Sequence, residues 1–138
     1  MMRSPLGRAT LAVVGAHLLH DLDHLRQGRP ATLEVSVLAV LAWVATIVLV
    51  VLVARRDRLG GLYAATFGAT LALGFVLVHA LPRWSAFSDS YGNADVDALS
   101  WLIAAIPFAA GLLLTVRGLQ AMTAARHQPV AAPRSSHP

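Results

Sequence analysis

Long apolar segments alternate with short polar ones along the chain, and this pattern predicts the secondary structure. Four segments are almost wholly apolar, at roughly residues 6–26, 32–54, 60–81 and 96–120. Each is close to the ~20 residues with which a helix crosses a hydrocarbon core about 30 Å thick. Because lipid offers the backbone no hydrogen-bond partners, such segments cross a membrane as helices. The pattern therefore predicts four transmembrane helices and an all-α fold.

The composition favours a membrane protein over a soluble helical bundle. Hydrophobic residues make up 57% of the 138 residues and charged residues 13%, against about 25% charged residues in soluble domains. A soluble bundle needs a charged outer face, and the last three segments have none. Cysteine is absent, which excludes disulfides and thiolate ligands. We therefore expect an integral membrane protein whose main partner is the lipid bilayer.

Short connections and the placement of arginine predict the topology. Helices joined by short loops pack as antiparallel neighbours, which predicts a four-helix bundle of up-down-up-down topology. Arginine collects on the cytoplasmic side of membrane proteins. Eight of the eleven arginines lie at the two ends of the chain and in the second loop, at Arg3, Arg8, Arg55, Arg56, Arg58, Arg117, Arg126 and Arg134. We expect both termini in the cytoplasm and a multi-pass protein of the cell membrane (plasma or inner).

The same features bound the domain organisation and the partners. Residues 1–127 form one predicted domain, and the Pro/Ser/Ala-rich tail, residues 128–138, is expected to be disordered. The net charge is +4, but the arginines flank membrane segments, so topology explains the charge and no nucleic-acid partner is expected. A homo-oligomer or a larger membrane complex stays open, because small-residue faces also join helices of different chains.

The stretch HLLHDLDHLRQGR, residues 17–29, places titratable groups at the end of the first segment. At 100° per residue, four of them share about 100° of one helix face: His17, His20, Asp21 and His24. Asp23 lies outside this arc and is expected to face the loop or Arg26. Ionisable groups at membrane depth are costly unless they are paired, so this polar face should point into the bundle.

The other segments bring polar groups to the same end. The third segment carries a ladder of small residues suited to close helix packing, formed by Gly60, Ala64, Gly68 and Ala72. His79 continues the ladder face within about 20°. Glu34 begins the second segment and Asp97 precedes the fourth. In an antiparallel bundle both acids should lie at the depth of His79, on the extracytoplasmic side.

Together these residues predict a transition-metal site at the extracytoplasmic end of the bundle. Neutral imidazole and carboxylate groups suit Zn²⁺, Fe or Mn, and histidines three or seven residues apart on a helix can direct two nitrogens to one point. The candidate ligands are His17, His20, Asp21, His24, Glu34, His79 and Asp97. A catalytic ion would activate water or carry redox chemistry. The sequence leaves both a metalloenzyme and a metal-handling protein open and names no catalytic residue.

Two alternatives use the same residues. A His, Asp and Arg network could fix the helix register in a non-catalytic structural or accessory subunit. Haem b needs two axial histidines from facing helices, which His79 and a histidine of the first segment could supply. The carboxylates at the same level favour a small cation over haem.

Overall fold

The computed structural model describes residues 2–28, 31–94 and 96–126, and this part of the chain is helical, as predicted. The four long helices are α1 (Pro5–Gln27), α2 (Leu33–Ala54), α3 (Gly60–Phe75) and α4 (Ala98–Arg126). Helix α3 continues directly into a π-helical turn, Val76–Ala80, and a short 3₁₀ turn, Tyr91–Asn93, lies in the third loop. The predicted tail, residues 128–138, lies outside the described residues.

Polar side chains define where three of the long helices begin. Ser4 and Thr32 each accept a hydrogen bond from a backbone N–H one turn into α1 and α2. Asp97 does the same for α4, at 2.9 Å from the backbone nitrogen of Ser100. Such caps satisfy N–H groups that have no partner inside the helix. At the other end of α1, Gly28 has a left-handed backbone with φ of 62°, which glycine adopts without steric cost.

Three helices are long and apolar enough to cross a membrane. They are Leu33–Ala54, Gly60–Ala80 (α3 with its π-helical turn) and Ala98–Arg126. Among the described helices α1 is also long, with 23 residues, but it does not reach the same apolarity. Its second half carries the three histidines, two aspartates and Arg26, so its membrane-crossing role depends on how these groups are paired.

The helices differ in how much of their surface the protein covers. Helix α4 packs closely against both α3 and α1, whereas α2 touches α1 and α3 along thinner contacts. Helix α2 buries only Thr46, Leu49 and Val53, and eight of its large apolar side chains are exposed: Leu33, Val37, Val40, Leu41, Val44, Ile47, Val48 and Val51. A helix that is apolar on all sides needs hydrocarbon or more protein around it. The exposed surface of α2 therefore suits a lipid environment.

Glycines bring the backbones of α3 and α4 together. A Cβ placed on Gly68 would lie 2.5 Å from the carbonyl oxygen of Gly111, and one on Gly118 would lie 2.5 Å from the nitrogen of Ala65. Gly68 belongs to the predicted ladder and lies at this crossing as expected. Gly60 instead lies near α2, where an added Cβ would be 3.7 Å from backbone atoms of Leu52. Residues four apart drift by about 40° per step, so a ladder of three steps turns away from one partner.

Candidate metal centre

Three histidines from two helices meet near the end of α1. Their ligand nitrogens all lie within 4.8 Å of one another. His20 and His24 lie one turn apart on α1, with their Nε2 atoms 3.1 Å apart, and His79 comes from the π-helical turn. His20 and His79 are buried, at 7% and 6% exposure, and His24 is half-buried. We call His20, His24 and His79 the histidine cluster.

A local break in the α-helical pattern carries His79. At residues 76–80 the chain forms a π-helix, closed by a hydrogen bond from the Leu81 nitrogen to the Val76 carbonyl at 3.2 Å. A π-helical turn holds one residue more than an α-helical turn, and such turns recur at functional sites. The sequence contains no proline or glycine here that would mark this change. Extrapolating the α3 face at 100° per residue therefore located His79 only approximately.

The third loop folds back over the histidine cluster and places Asp89 beside it. His79 Nδ1 lies 3.1 Å from the backbone oxygen of Asp89. The Asp89 carboxylate lies 3.7 Å from His24 Nδ1 and 3.8 Å from His79 Nδ1. The sequence did not identify Asp89 as a candidate, because a loop has no helical period that relates its residues to a helix face. The only sequence signal was an acidic residue in a loop that the sequence predicts to be extracytoplasmic.

Aromatic rings enclose the histidine cluster. Phe75 packs edge to face against His20, with ring centroids 4.7 Å apart. Tyr91, at 1% exposure, lies 4.7 Å from the His79 ring and 5.6 Å from that of Trp101. Rings on these sides exclude water and lower the local dielectric, which strengthens any electrostatic interaction with the imidazoles.

The donor set of the histidine cluster fits a cation. Two nitrogens each ~2.0–2.1 Å from a tetrahedral zinc ion lie about 3.3 Å apart, close to the 3.1 Å between His20 and His24. The Nδ1 atom of His20 is buried and has no hydrogen-bond partner within the part of the chain that the structure describes. A buried polar atom without a partner indicates an ion, a water or a local cost in stability. His20 therefore has one nitrogen, Nε2, at ligand spacing from His24 and a second, Nδ1, for which the described part of the protein supplies no partner.

Two other polar residues of α1, His17 and Asp21, lie outside the histidine cluster, against α2. His17 is buried and pairs through Nδ1 with the Thr46 hydroxyl at 3.0 Å, and its ring lies 5.5 Å from that of Trp43. Asp21 accepts a hydrogen bond from the indole nitrogen of Trp43 at 2.7 Å. Both residues were predicted to face inward with the histidines. The structure places them on the side of α1 that meets α2.

Asp23 pairs with Arg26, as expected. It is buried, however, whereas the helical pattern placed it outside the arc that faces the bundle. Asp23 is 2% exposed and accepts hydrogen bonds from Arg26 Nε at 2.8 Å and from the Gln27 amide at 2.7 Å. The Gln27 amide also donates to the Ser100 hydroxyl. Helix α1 is covered by α4 as well as by α2, so its buried arc is wider than a single polar stripe and includes Asp23.

Arg26 joins α1 to the start of α4. Its two terminal nitrogens donate to the two carboxylate oxygens of Asp97 at 2.8 and 2.9 Å, and one of them also donates to the Ser100 hydroxyl at 2.8 Å. Bidentate pairs of this kind fix geometry as well as charge. Asp97 therefore lies in a network with Arg26 and Asp23, apart from the histidine cluster. Glu34 lies half-buried at the start of α2 and is likewise not part of the histidine cluster.

The ion pair between Arg26 and Asp97 predicts a stability change in acid. The guanidinium of Arg26 and the Ser100 N–H hold the pKa of Asp97 below its usual range. A carboxyl with a lowered folded-state pKa contributes stability above the ordinary aspartate pKa of about 4, and this contribution is lost as the pH falls through the lowered value. We expect Asp97→Asn to lower the thermal unfolding midpoint at neutral pH, with the difference from wild type closing below about pH 4.

Asparagine keeps the helix cap in this variant, so the difference isolates the charge. Arg26→Gln should lower the midpoint further, because it also leaves the buried Asp23 carboxylate without its cation. Thermal unfolding followed by circular dichroism across the acid range measures both effects. A difference that is the same at every pH would show that the charge of Asp97 contributes nothing.

Two cavities border the histidine cluster. A polar pocket of about 280 Å³ opens beside Asp89, lined by Thr32, Val35, Arg83, Ser88, Asp89, Ser90, Asn93 and Ala94. An apolar groove of about 160 Å³ runs between α3 and α4 beside His79, lined by residues that include Phe75, Trp101 and Phe108. His79 therefore lines the apolar groove, and Asp89 lines the polar pocket.

Comparison with known proteins leaves the chain without an assigned family. No protein-family model, no curated protein and no solved structure matches it. What the chain does must therefore be argued from its own geometry, and the most specific feature of that geometry is the histidine cluster.

Proposed function

We propose that the protein binds one transition-metal ion through His20, His24 and His79 at the extracytoplasmic end of a membrane-embedded helix bundle. The observation that carries this proposal is the convergence of three imidazoles within 4.8 Å, beside the rings of Phe75 and Tyr91. Neutral imidazoles offer one lone pair each, and three lone pairs directed into one space suit a cation. Because His20 and His24 belong to α1 and His79 to the π-helical turn after α3, a bound ion would also link these two helices.

The proposed membrane arrangement is an up-down-up-down bundle in the plasma or inner membrane with both termini in the cytoplasm. Contacts of α4 with α3 and α1, and of α2 with α1 and α3, support a ring of four neighbouring helices. The excess of arginine at the two ends of the chain and in the second loop supports the orientation. In this arrangement the histidine cluster, the third loop and the polar pocket face the extracytoplasmic side.

Zinc is the ion that the ligand set favours. Iron and manganese sites of helix bundles usually include carboxylate ligands, whereas Asp21, Glu34 and Asp97 lie outside the histidine cluster. The carboxylate beside the cluster, that of Asp89, faces the Nδ1 atoms of His24 and His79 at 3.7 and 3.8 Å, which suits a hydrogen-bonding partner of the ligands. Three histidines with a fourth position left to an exchangeable ligand are a known zinc arrangement. A zinc ion held in this way supplies Lewis-acid chemistry, so both a metalloenzyme and a metal-handling protein are compatible with the site.

Haem b suits the histidine cluster less well. A haem with two axial histidines holds the macrocycle between the two rings. The rings of His20 and His24 instead contact each other directly, with centroids 4.6 Å apart, and that of His79 lies 4.9 Å from His20. There is no space for a macrocycle between rings that touch.

The second candidate function is a structural or accessory membrane subunit. The network of Asp23, Arg26, Asp97 and Ser100 favours it, because these groups join α1 to α4 without any cofactor. In that case one of the Nε2 atoms of His20 and His24 carries a proton and donates to the other. The network and a metal site occupy different residues, so the two functions are separable by experiment.

Metal analysis of the purified protein tests the proposal directly. Protein purified without chelator should hold about one zinc ion per chain, and Co²⁺ exchanged into the site should give the intense visible absorption bands of a tetrahedral ion. The absorption spectrum should contain no Soret band. Protein that holds no metal after purification, and takes up neither Zn²⁺ nor Co²⁺ when they are added, would leave the structural subunit as the function.

A further inference from the structure

One loop residue, Asp89, contacts two of the three histidines of the cluster through two different groups. Its backbone oxygen lies 3.1 Å from His79 Nδ1, within hydrogen-bond distance. Its carboxylate lies 3.7 Å from His24 Nδ1, which is beyond a direct hydrogen bond but within range of a strong electrostatic interaction in a shielded site. The carboxylate also lies 3.8 Å from His79 Nδ1, but the hydrogen bond of that nitrogen goes to the backbone oxygen. The backbone oxygen therefore fixes His79, and the carboxylate is the group of Asp89 that acts on His24.

These contacts determine which ring nitrogen of each histidine carries the proton. A backbone oxygen only accepts hydrogen bonds, so His79 donates from Nδ1 and its lone pair lies on Nε2. The negative carboxylate favours the same tautomer in His24, with the proton on Nδ1 and the lone pair on Nε2. The Nε2 atom of His24 is also the atom that lies 3.1 Å from His20 Nε2. Both rings therefore carry their proton on Nδ1 and their lone pair on Nε2.

We propose that Asp89 is the positioning residue of the metal site, setting the tautomer of His24 through its carboxylate and that of His79 through its backbone oxygen. This inference rests on the proposed metal-binding function. Partners of this kind orient ligand imidazoles in metal sites and raise their basicity. Among the described carboxylates, those of Asp21, Asp23 and Asp97 are bonded to Trp43, Arg26 and Ser100 instead.

The surroundings of Asp89 make the residue testable by substitution. Its backbone nitrogen donates to the carbonyl of Val78 at 3.0 Å, so the main chain is held next to the π-helical turn independently of the side chain. The side chain borders the polar pocket and is 16% exposed. Asparagine or alanine at this position therefore creates no closed cavity and leaves the contact between the backbone oxygen and His79 in place.

The test compares Asp89→Ala, Asp89→Asn and Asp89→Glu with wild type by metal affinity and by the tautomers of the histidines. Competition with a chelator should show Zn²⁺ and Co²⁺ affinity about 10- to 100-fold lower in Asp89→Ala, with Asp89→Asn between it and wild type and Asp89→Glu recovering part of the loss. In metal-free protein, nitrogen chemical shifts of the imidazoles should show His24 losing its preference for a proton on Nδ1 while His79 keeps it. A general loosening of the fold would change both rings alike.

Asp57→Asn is the matched control, since it removes one negative charge from the exposed loop between α2 and α3, far along the chain from the histidine cluster. It should leave affinity and tautomers unchanged. Asp89→Ala with affinity within about twofold of wild type and an unchanged His24 tautomer would overturn the proposal. Wild-type protein that binds no metal overturns the proposed function instead, while the tautomer measurement in metal-free protein still decides the role of Asp89. If Asp89→Ala fails to fold, Asp89→Asn and Asp89→Glu carry the same comparison.

Discussion

Replacing any one of His20, His24 or His79 with alanine is expected to weaken zinc binding about 100- to 1,000-fold. Zinc sites with four protein ligands are stabilised by about 10–16 kcal/mol at neutral pH, or roughly 2.5–4 kcal/mol for each ligand. That loss per ligand corresponds to the stated range of affinity. The three substitutions should weaken zinc binding to a similar extent, because all three ligand nitrogens lie within 4.8 Å of one another.

His17→Ala is the matched control for this series. His17 lies on the same helix, is as buried as His20, and pairs with Thr46 outside the cluster. The substitution removes packing contacts and one hydrogen bond but no ligand, so zinc affinity should stay within about twofold of wild type. The free energy of unfolding should fall by about 1–3 kcal/mol. Isothermal titration against a chelator of known affinity, with unfolding followed in the same samples, separates the two effects.

The same assay decides between a site made of the histidine cluster alone and the wider site predicted from the sequence. Asp21→Asn, Glu34→Gln and Asp97→Asn keep the shape of each side chain and remove a ligand charge. The structure places these carboxylates with Trp43, at the start of α2 and with Arg26, so their substitution should not change zinc affinity. A loss of affinity in any of them as large as in His79→Ala would contradict a site made of three histidines.

Helical periodicity was enough to predict that the residues of the histidine cluster lie close together. His20 and His24 share a face because they lie one turn apart, and antiparallel helices bring His79 to the same end of the bundle. These two regularities are local and need no knowledge of side-chain pairing. The meeting of the three histidines is therefore the part of the site that a sequence can predict.

The sequence could not predict which partner each acidic side chain contacts. Asp97 was predicted at the depth of a metal ligand, but Arg26 donates to both of its carboxylate oxygens. Helical periodicity does not show whether a carboxylate pairs with a nearby arginine or with a metal ion. Asp89 is in a loop whose path depends on contacts with the end of α3, including the one to Val78. Asp23 was misplaced because the width of a buried arc depends on how many neighbours cover the helix.

Gly68→Ala is expected to destabilise the protein by about 1–3 kcal/mol, as overpacking of a tight interface does. A Cβ on Gly68 would lie 2.5 Å from the Gly111 oxygen and 2.7 Å from the Thr115 nitrogen. Both are backbone atoms of α4, so no side-chain rotation relieves the contact and the two helices must move apart. Separation costs contacts along the whole α3–α4 interface, and association of membrane helices depends on such close packing. Unfolding in a titration of denaturing detergent, followed by circular dichroism, measures the change.

Gly74→Ala provides the internal comparison on the same helix. Nothing lies within 4 Å of a Cβ at Gly74, so this substitution adds only the greater helix propensity of alanine, worth about 0.5–1 kcal/mol in favour of folding. The two substitutions are chemically identical and should have opposite signs. Gly118→Ala should behave like Gly68→Ala, since its Cβ would lie 2.5 Å from the Ala65 nitrogen. If Gly68→Ala and Gly118→Ala were as stable as Gly74→Ala, the backbones of α3 and α4 could not approach as closely as the structure shows, and the position of His79 relative to α1 would have to be reconsidered.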